Sequence, residues 1–467
     1  MNQFEEKIIT LEKVIDNGYC VGCGGCAFVG NCFMKINDYG EYIPNFETIK
    51  ENPDIEKVEF VCPSLNPEYN ETQLSEIFIQ NNVNKSKFIG NHVDIYGGYV
   101  KEDNFRDNGT SGGFGTWIGT ELLKRGLIDG VIHAKEEKRN NLQDPFFKYG
   151  ISETLEQISQ SAKTKYHVVE MSEVLRIIKK TPNKKYLFIG VPCMVKAIRR
   201  IQLIDSDIKQ GIAYTMALVC GHLKTINWTL SLAWGAGIKP EDVTKFKYRT
   251  KAENIPARAY VFTAYSAEKE IRKDAGNVVG GKFNQGALML PACNFCDDVV
   301  GETADITIGD AWLPQFEVDS KGTNLLIVRN KKISETILQA LNQDRIHLER
   351  ITEKDVLSAQ TGAFRMRQEG LAYRLKKADD NKVWRPQKRV IPNESISFVR
   401  RLIYKMRANV TTKSRDAFKI ALTNNDYSFY KNSMKFQLKL LRIIEILSTF
   451  SRIIDRKIKY FQLIKIN

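Results

Sequence analysis

No stretch of this 467-residue chain comes near the roughly 18 consecutive apolar residues that a membrane-spanning helix requires. The opening residues, Met1-Asn2-Gln3-Phe4-Glu5-Glu6-Lys7, lack the charged-then-apolar order of a secretory signal. Histidine is scarce, with 5 in the chain. Ser-His-Asp order, a P-loop and a Gly-x-Gly-x-x-Gly dinucleotide fingerprint are all missing. These absences argue against triad hydrolases, P-loop nucleotide hydrolases and Rossmann-type NAD enzymes. There is no internal repeat and no low-complexity tract. With no export signal, a cytoplasmic location is expected, and cysteines are read as metal-binding or catalytic before they are read as disulfides.

The body also lacks any excess of charge. The net charge is +14, but from Arg385 onward there are 19 Lys and Arg against 5 Asp and Glu. The other 384 residues hold 50 of each sign. The body therefore need not bind a polyanion; the tail is the candidate for one.

What is present is cysteine, 9 residues in two groups. Cys20, Cys23, Cys26, Cys32 and Cys62 open the chain; Cys193, Cys220, Cys293 and Cys296 lie in its middle. Cys20-Val21-Gly22-Cys23-Gly24-Gly25-Cys26, with Cys62 followed by Pro63, has the spacing that wraps a 4Fe-4S cube. Gly22, Gly24 and Gly25 let the loop turn its amides toward sulfur. Cys62 is the preferred fourth ligand and Cys32 a rival. A structural zinc on the same thiolates is the rival chemistry, although zinc sites usually pair two such knuckles. Cys193 opens a helix after a buried strand, Cys220 ends the next strand, and Cys293-x-x-Cys296 follows Pro291. Strand ends of a parallel sheet share one edge, where four distant thiols can converge. Buried core cysteines are the plainer reading of this second group.

At about 150 residues per domain, two or three domains are expected. The chain reads as α/β (α+β overall). Residues 1–65 form a small ferredoxin-like module, 66–90 a polar linker with a short helix, and 91–380 a mixed α/β domain. Residues 395–467 form a tail of basic amphipathic helices. Helices are predicted over 114–125, 173–180, from Pro192, over 227–234, 333–343 and 363–378. Strands are predicted over 129–134, 185–190, 212–220, 243–251, 259–265, 305–309 and 324–330, with a largely parallel sheet through about residue 235. In the tail, Phe436, Leu440, Ile443, Ile444, Leu447, Phe450 and Ile454 recur at helical spacing between Lys and Arg.

Five motifs occur in a fixed order: Ser111-Gly112-Gly113; Ala162-Lys163-Thr164-Lys165-Tyr166; Gly190-Val191-Pro192-Cys193; Cys220-Gly221-His222; and Cys293-Asn294-Phe295-Cys296 with Ala304-Asp305-Ile306-Thr307-Ile308-Gly309-Asp310. Together they resemble the coenzyme F420 hydrogenase/dehydrogenase beta-subunit family, in the bacterial branch with an N-terminal 4Fe-4S ferredoxin-type domain. The likeness spans about residues 15–330. It implies a second 4Fe-4S cluster on Cys193, Cys220, Cys293 and Cys296, beside an FAD. It also implies flavin contacts from Ser111, Gly112, Gly113, Thr164, Lys165 and Tyr166, with Asp310 and Arg249 at weaker matching positions.

The resemblance implies an iron–sulfur flavoprotein oxidoreductase with two 4Fe-4S clusters and FAD. Its electron partner would be ferredoxin or another redox protein, or coenzyme F420. Relatives encoded among surface-polysaccharide enzymes suggest a reductase of a lipid- or nucleotide-linked glycan precursor. The alternative is an electron-transfer or scaffolding subunit without flavin. The tail makes an anionic membrane surface a candidate partner, placing the protein at the inner face of the membrane. Nucleic acid is not an expected partner, because the tail aromatics form no stacking platform. His222 is read as a packed or supporting residue, and His133 and His167 as core or surface residues.

Overall fold

The computed structural model describes residues 3–50, 52–80, 83–250 and 261–464, with side chains described between 10 and 449. An antiparallel hairpin, β1 (Met34–Ile36) and β2 (Tyr42–Pro44), belongs to the N-terminal module. The main sheet begins with β3 (Asp94–Val100), β4 (Gly130–Glu136), β5 (Phe147–Ser152), β6 (Tyr186–Gly190) and β7 (Ile212–Leu218). A small antiparallel sheet follows, of β8 (Lys245–Lys247), β9 (Val261–Tyr265) and β10 (Glu270–Asp274). The main sheet is completed by β11 (Ile306–Asp310), β12 (Asn324–Val328) and β13 (Ile346–Arg350). Its eight strands run in the order β13-β3-β12-β11-β7-β6-β4-β5.

The fold is mixed α/β, as expected. The four central strands β11, β7, β6 and β4 are parallel, and both flanks are antiparallel. The sheet is therefore less parallel before residue 235 than predicted, because β5 folds back on β4 as an edge strand. Apolar residues alternate between two covered faces. Leu187 packs with Trp117, Leu122 and Ile337 on one side; its neighbour Phe188 packs with Val195, Ile198 and Trp228 on the other. A sheet covered on both sides needs such uninterrupted apolar strands, and β12, Asn-Leu-Leu-Ile-Val, is buried throughout.

Strands β3, β5, β10 and β13 escaped the sequence reading. β3 carries Gly97 and Gly98, which weaken a strand signal; a Cβ on Gly98 would lie 2.2 Å from the His347 carbonyl oxygen across the ladder. The predicted strand over 243–251 shrinks to β8, and residues 251–260 lie outside the described residues. The predicted helix over 363–378 is two helices, Thr361–Arg367 and Glu369–Asp380, divided at Gln368.

The tail forms two helices, Phe398–Thr423 and Tyr427–Ile464. They run antiparallel, as the pairs Arg407–Glu445 and Asn409–Gln437 show. The first belongs to the body: Ile403, Met406, Val410 and Phe418 are buried in the main core, and the Leu288 amide donates to Ser414 Oγ at 2.8 Å. It also reaches the N-terminal module, where Arg415 pairs with Glu41 at 2.7 Å. Among the described residues no helix is long and apolar enough to cross a membrane.

Candidate functional site

β6 and β7 are parallel neighbours, so their carboxyl ends open on the same edge of the sheet. At that edge Val191 leads into the helix Pro192–Ile204, whose proline pre-sets the first turn and leaves Cys193 in it. Cys220 stands two residues beyond β7. Its amide donates to the Val299 carbonyl at 2.9 Å, and the Leu290 amide donates to the Leu223 carbonyl at 3.0 Å. These bonds lace residues 290–299 to the end of β7. The Leu223 amide then donates to Cys293 Sγ at 3.2 Å. Burial pushes the Cys193 thiol well up, and Cys296, Cys220 and Cys293 each push it further. The structure thus brings all four thiols of the second group together.

The first group is built on a loop of left-handed glycines. Gly22 (φ 67°) and Gly24 (φ 79°) adopt a backbone that disfavours a side chain, and a Cβ on Gly24 would lie 2.4 Å from the Glu170 carboxylate. The Gly22 amide points at Cys20 Sγ (3.4 Å) and the Gly25 amide at Cys23 Sγ (3.5 Å). Burial pushes Cys20 up to about 12 and raises Cys23, Cys26 and Cys62 as well. Cys62 pushes Cys20, Cys23 and Cys26 up, whereas Cys32 is the weakest of the cysteine neighbours raising Cys26. Among the described residues no three His, Cys, Asp or Glu converge to hold a single metal ion. A cube gives each thiolate its own iron, so its four ligands stand around a volume rather than at a point.

The two thiol groups adjoin. Tyr19, before Cys20, meets Phe295, before Cys296, edge to face with ring centres 4.7 Å apart. Cys193 feels the charge of Cys23 as well as that of its own group. A cleft of about 30 Å³ lies between them, with Pro63 and Ser64 on one wall and Cys193, Phe295 and Cys296 on the other.

Two buried arginines that the sequence reading missed stand behind the thiols. Arg200 donates to the carbonyls of Phe60, Cys62, Leu65, Asn66 and Tyr69, fixing the Cys62–Pro63 turn. Arg367 donates to the Cys293 carbonyl and, at 2.6 Å, to the Gly221 carbonyl. It is 2% exposed, and its Nε has no partner. Its strongest favourable charge neighbours are Cys296, Cys293, Cys220 and Cys193. Arg374 adds a bond to the Asn294 carbonyl at 2.7 Å. A buried cation facing four thiols is suited to an anionic cluster on those thiolates, since an unpaired buried charge is otherwise costly. The signal was faint: both arginines sit on the apolar side of helices, where a charge breaks the pattern.

The other motif residues lie along the same sheet edge. Thr110, just before the first motif, shares a hydrogen bond with Thr164 of the second at 3.0 Å. Ser111 Oγ donates to the Thr323 carbonyl at 3.1 Å. A Cβ on Gly112 would lie 2.7 Å from the Gly98 carbonyl, and Gly113 (φ 94°) abuts the Phe105 backbone. These two glycines are thus already required by close backbone packing. Lys163 has a left-handed φ of 88°, a conformation that costs energy away from glycine. Lys165 is anchored to the Ser161 carbonyl at 2.6 Å and lies over the Phe147 ring. Burial lowers Lys163 and Lys165; Lys247 presses on the former, and Lys163 on the latter. Their common counter-charge Glu136 is also held by Lys245 at 2.6 Å. The resulting excess of cations suits a pyrophosphate.

Tyr166 packs among Tyr248, Phe283 and Trp228. Asp310 is held by Arg249 at 2.8 Å. Asp305 is a structural hub that accepts from Arg199, Thr215 and Asn330. His222 stacks on Phe283 at 4.1 Å. His133 bonds Ser152, and His167 bonds the Val168 carbonyl; both are buried.

A doubly covered α/β sheet that gathers thiols at the carboxyl ends of its strands defines a cysteine-bearing α/β protein. Residues 95–176 match the N-terminal domain of the coenzyme F420 hydrogenase/dehydrogenase beta subunit, and residues 183–354 match its C-terminal domain. The chain belongs to that family. An uncharacterized protein of Methanocaldococcus jannaschii, MJ1349, is 24% identical over 341 residues, 68% of this chain and 86% of that one. The coenzyme F420-dependent sulfite reductase of the same organism is 23% identical over 359 residues, 73% of this chain. The alignment covers 49% of the reductase, about half its length. Coenzyme F420 hydrogenase subunit beta of Methanosarcina barkeri is 22% identical over 254 residues, 52% of this chain and 77% of that one. The relatives named for an activity are oxidoreductases or their subunits.

Proposed function

We propose that the protein is an iron–sulfur flavoprotein oxidoreductase that passes electrons through two adjoining clusters. Cys20, Cys23, Cys26 and Cys62 would hold one 4Fe-4S cluster, and Cys193, Cys220, Cys293 and Cys296 the other. FAD would lie along the sheet edge with its pyrophosphate toward Lys163, Lys165 and Lys247, near Ser111, Gly112, Gly113, Thr164, Tyr166 and Asp310. When bound, the clusters supply one-electron carriage and the flavin couples it to two-electron chemistry.

The chain's own residues do the rest. Glycine amides at Cys20 and Cys23 donate to sulfur, Arg200 and Arg367 supply fixed positive charge, and the apolar packing of Tyr19 and Phe295 limits water between the thiol groups. The observation that carries the reading is the junction of the two groups at Tyr19 and Phe295. A carrier wants its centres close and shielded, and isolated structural sites would have no need to meet.

The donor is a ferredoxin-type protein or coenzyme F420, and the acceptor a reducible substrate of the glycan-precursor class. The test is anaerobic purification with iron, sulfide and flavin analysis. About eight irons, four per cube, with one flavin per chain supports the reading. Iron without flavin favours the carrier subunit, and zinc alone refutes both. Reduction by ferredoxin against reduced F420 then identifies the donor.

A further inference from the structure

The last helix, Tyr427–Ile464, uses one face to pack on the body and leaves another bare. Tyr430, Met434, Leu441 and Ile444 are buried against the preceding helix and the core. On the outer side Phe436 is 68% exposed, Leu447 56% and Ile443 46%, with Phe429 exposed as well. At 100° per residue, Phe429, Phe436, Ile443 and Leu447 fall on one narrow stripe. Lys431, Lys435, Lys439 and Arg442 are exposed and lie along one flank of it. The acidic residue of this stretch, Glu445, is turned inward and bonded to Arg407 at 2.6 Å. The outer face from 427 to 449 is thus apolar and positive, with no acid on it.

We propose that this stripe docks the protein on an anionic lipid surface, with Phe436, Ile443 and Leu447 entering the headgroup boundary and the basic row resting on lipid phosphates. Charge complementarity selects this occupant. All of the chain's positive excess lies from Arg385 onward, and this row displays part of it on an outer face. A second copy would bring a like-charged row and no acid to meet it, whereas an anionic bilayer supplies counter-charge and a place for the apolar stripe together. Because the preceding helix is built into the core, docking would fix the orientation of the whole body. The inference does not depend on the redox reading.

The test is flotation of the full-length, anaerobically purified protein with phosphatidylcholine vesicles, with and without phosphatidylglycerol. Binding is expected to the anionic vesicles alone and to weaken with salt. Lys435→Gln and Lys439→Gln should each lower it about fivefold. The triple variant Phe436→Ser/Ile443→Ser/Leu447→Ser should abolish it while leaving the circular dichroism and cofactor content unchanged, since these side chains face solvent. Three outcomes overturn the proposal: no binding to anionic vesicles, equal binding to neutral ones, or a concentration-dependent dimer that the triple variant abolishes.

Discussion

The rings of Tyr19 and Phe295 meet at a right angle, 4.7 Å between centres, although 276 positions separate them in the chain. Each immediately precedes a cysteine, one in each thiol group. The contact therefore joins the N-terminal module to the sheet edge at the point where electrons would cross. Tyr19 is also pinned from the other side, its hydroxyl donating to the Trp384 carbonyl at 3.0 Å. With both proposed clusters reduced, electron paramagnetic resonance should show spin–spin broadening between them. Cys62→Ser should remove that broadening together with the first cluster. Two non-interacting signals in the intact protein would rule out the junction.

Cys32 and Cys62 give opposite expectations. Cys62 pushes up all of the first three thiols and its turn is clamped by Arg200, whereas Cys32 is the weakest cysteine neighbour of Cys26. Cys62→Ser should lower the iron content by about four per chain, the content of one cube. Cys32→Ser should leave iron unchanged. The reverse result would make Cys32 the fourth ligand.

Arg367 should raise the reduction potential of the proposed second cluster, because its fixed positive charge would stabilise the more negative reduced state. Arg367→Met is expected to lower the midpoint on the order of 60 mV, the equivalent of a tenfold shift in a one-electron equilibrium. Arg367→Lys should keep most of the potential at unchanged iron content. A potentiometric titration followed by paramagnetic resonance reads this directly. A merely structural arginine would give iron loss without a potential shift in the iron that remains.

Lys165 gives the candidate flavin site a pH dependence. Burial pushes it down to about 8, with Lys163 assisting and Glu136 opposing. The charged form attracts an anion, so affinity for FAD should be full below about pH 8 and fall above it, by at most tenfold per pH unit. Lys165→Met should weaken binding at pH 7 and flatten the profile. Fluorescence titration of flavin-depleted protein at several pH values checks this; an unchanged profile in the variant would place the anion elsewhere.

Arg389 ties several segments together. It makes two 2.8 Å bonds to Glu302 and reaches Asp297 at 3.3 Å and Glu71 at 3.5 Å. Removing it strands the almost fully buried Glu302, while Glu71 and Asp297 keep Lys196 and Lys388, so Arg389→Ala should cost about 3–5 kcal/mol. A lower thermal midpoint and faster iron loss on dilution are expected. Arg389→Lys should recover part of the loss, since it keeps the charge but not the fork.

Much of this was legible beforehand because it rests on local patterns. The spacing of Cys20, Cys23 and Cys26, the apolar run of β6 and the proline opening Cys193's helix each speak for themselves within a few residues. What escaped depended on distant partners. β3 is disguised by Gly97 and Gly98, which exist because β13 and the Phe316 ring lie against them. Arg200 and Arg367 look like ordinary basic residues until the loops they hold have folded around them. The resemblance implies flavin contacts at Gly112 and Gly113, yet their first obligation is to neighbouring backbone. The tail pattern was visible as amphipathic helix, but not the division of labour in which one helix enters the core and the next keeps a bare stripe.

The wall behind Cys293 and Cys296 is made by Arg367, Arg374 and Arg389, which leave the ribosome well after every cysteine has emerged. During synthesis the second thiol group is thus an open basin that its own chain has yet to close. A cluster of the kind proposed on these thiols would therefore be walled off from solvent only once Arg367 and Arg374 have bonded to the carbonyls of the Cys293–Asn294 turn.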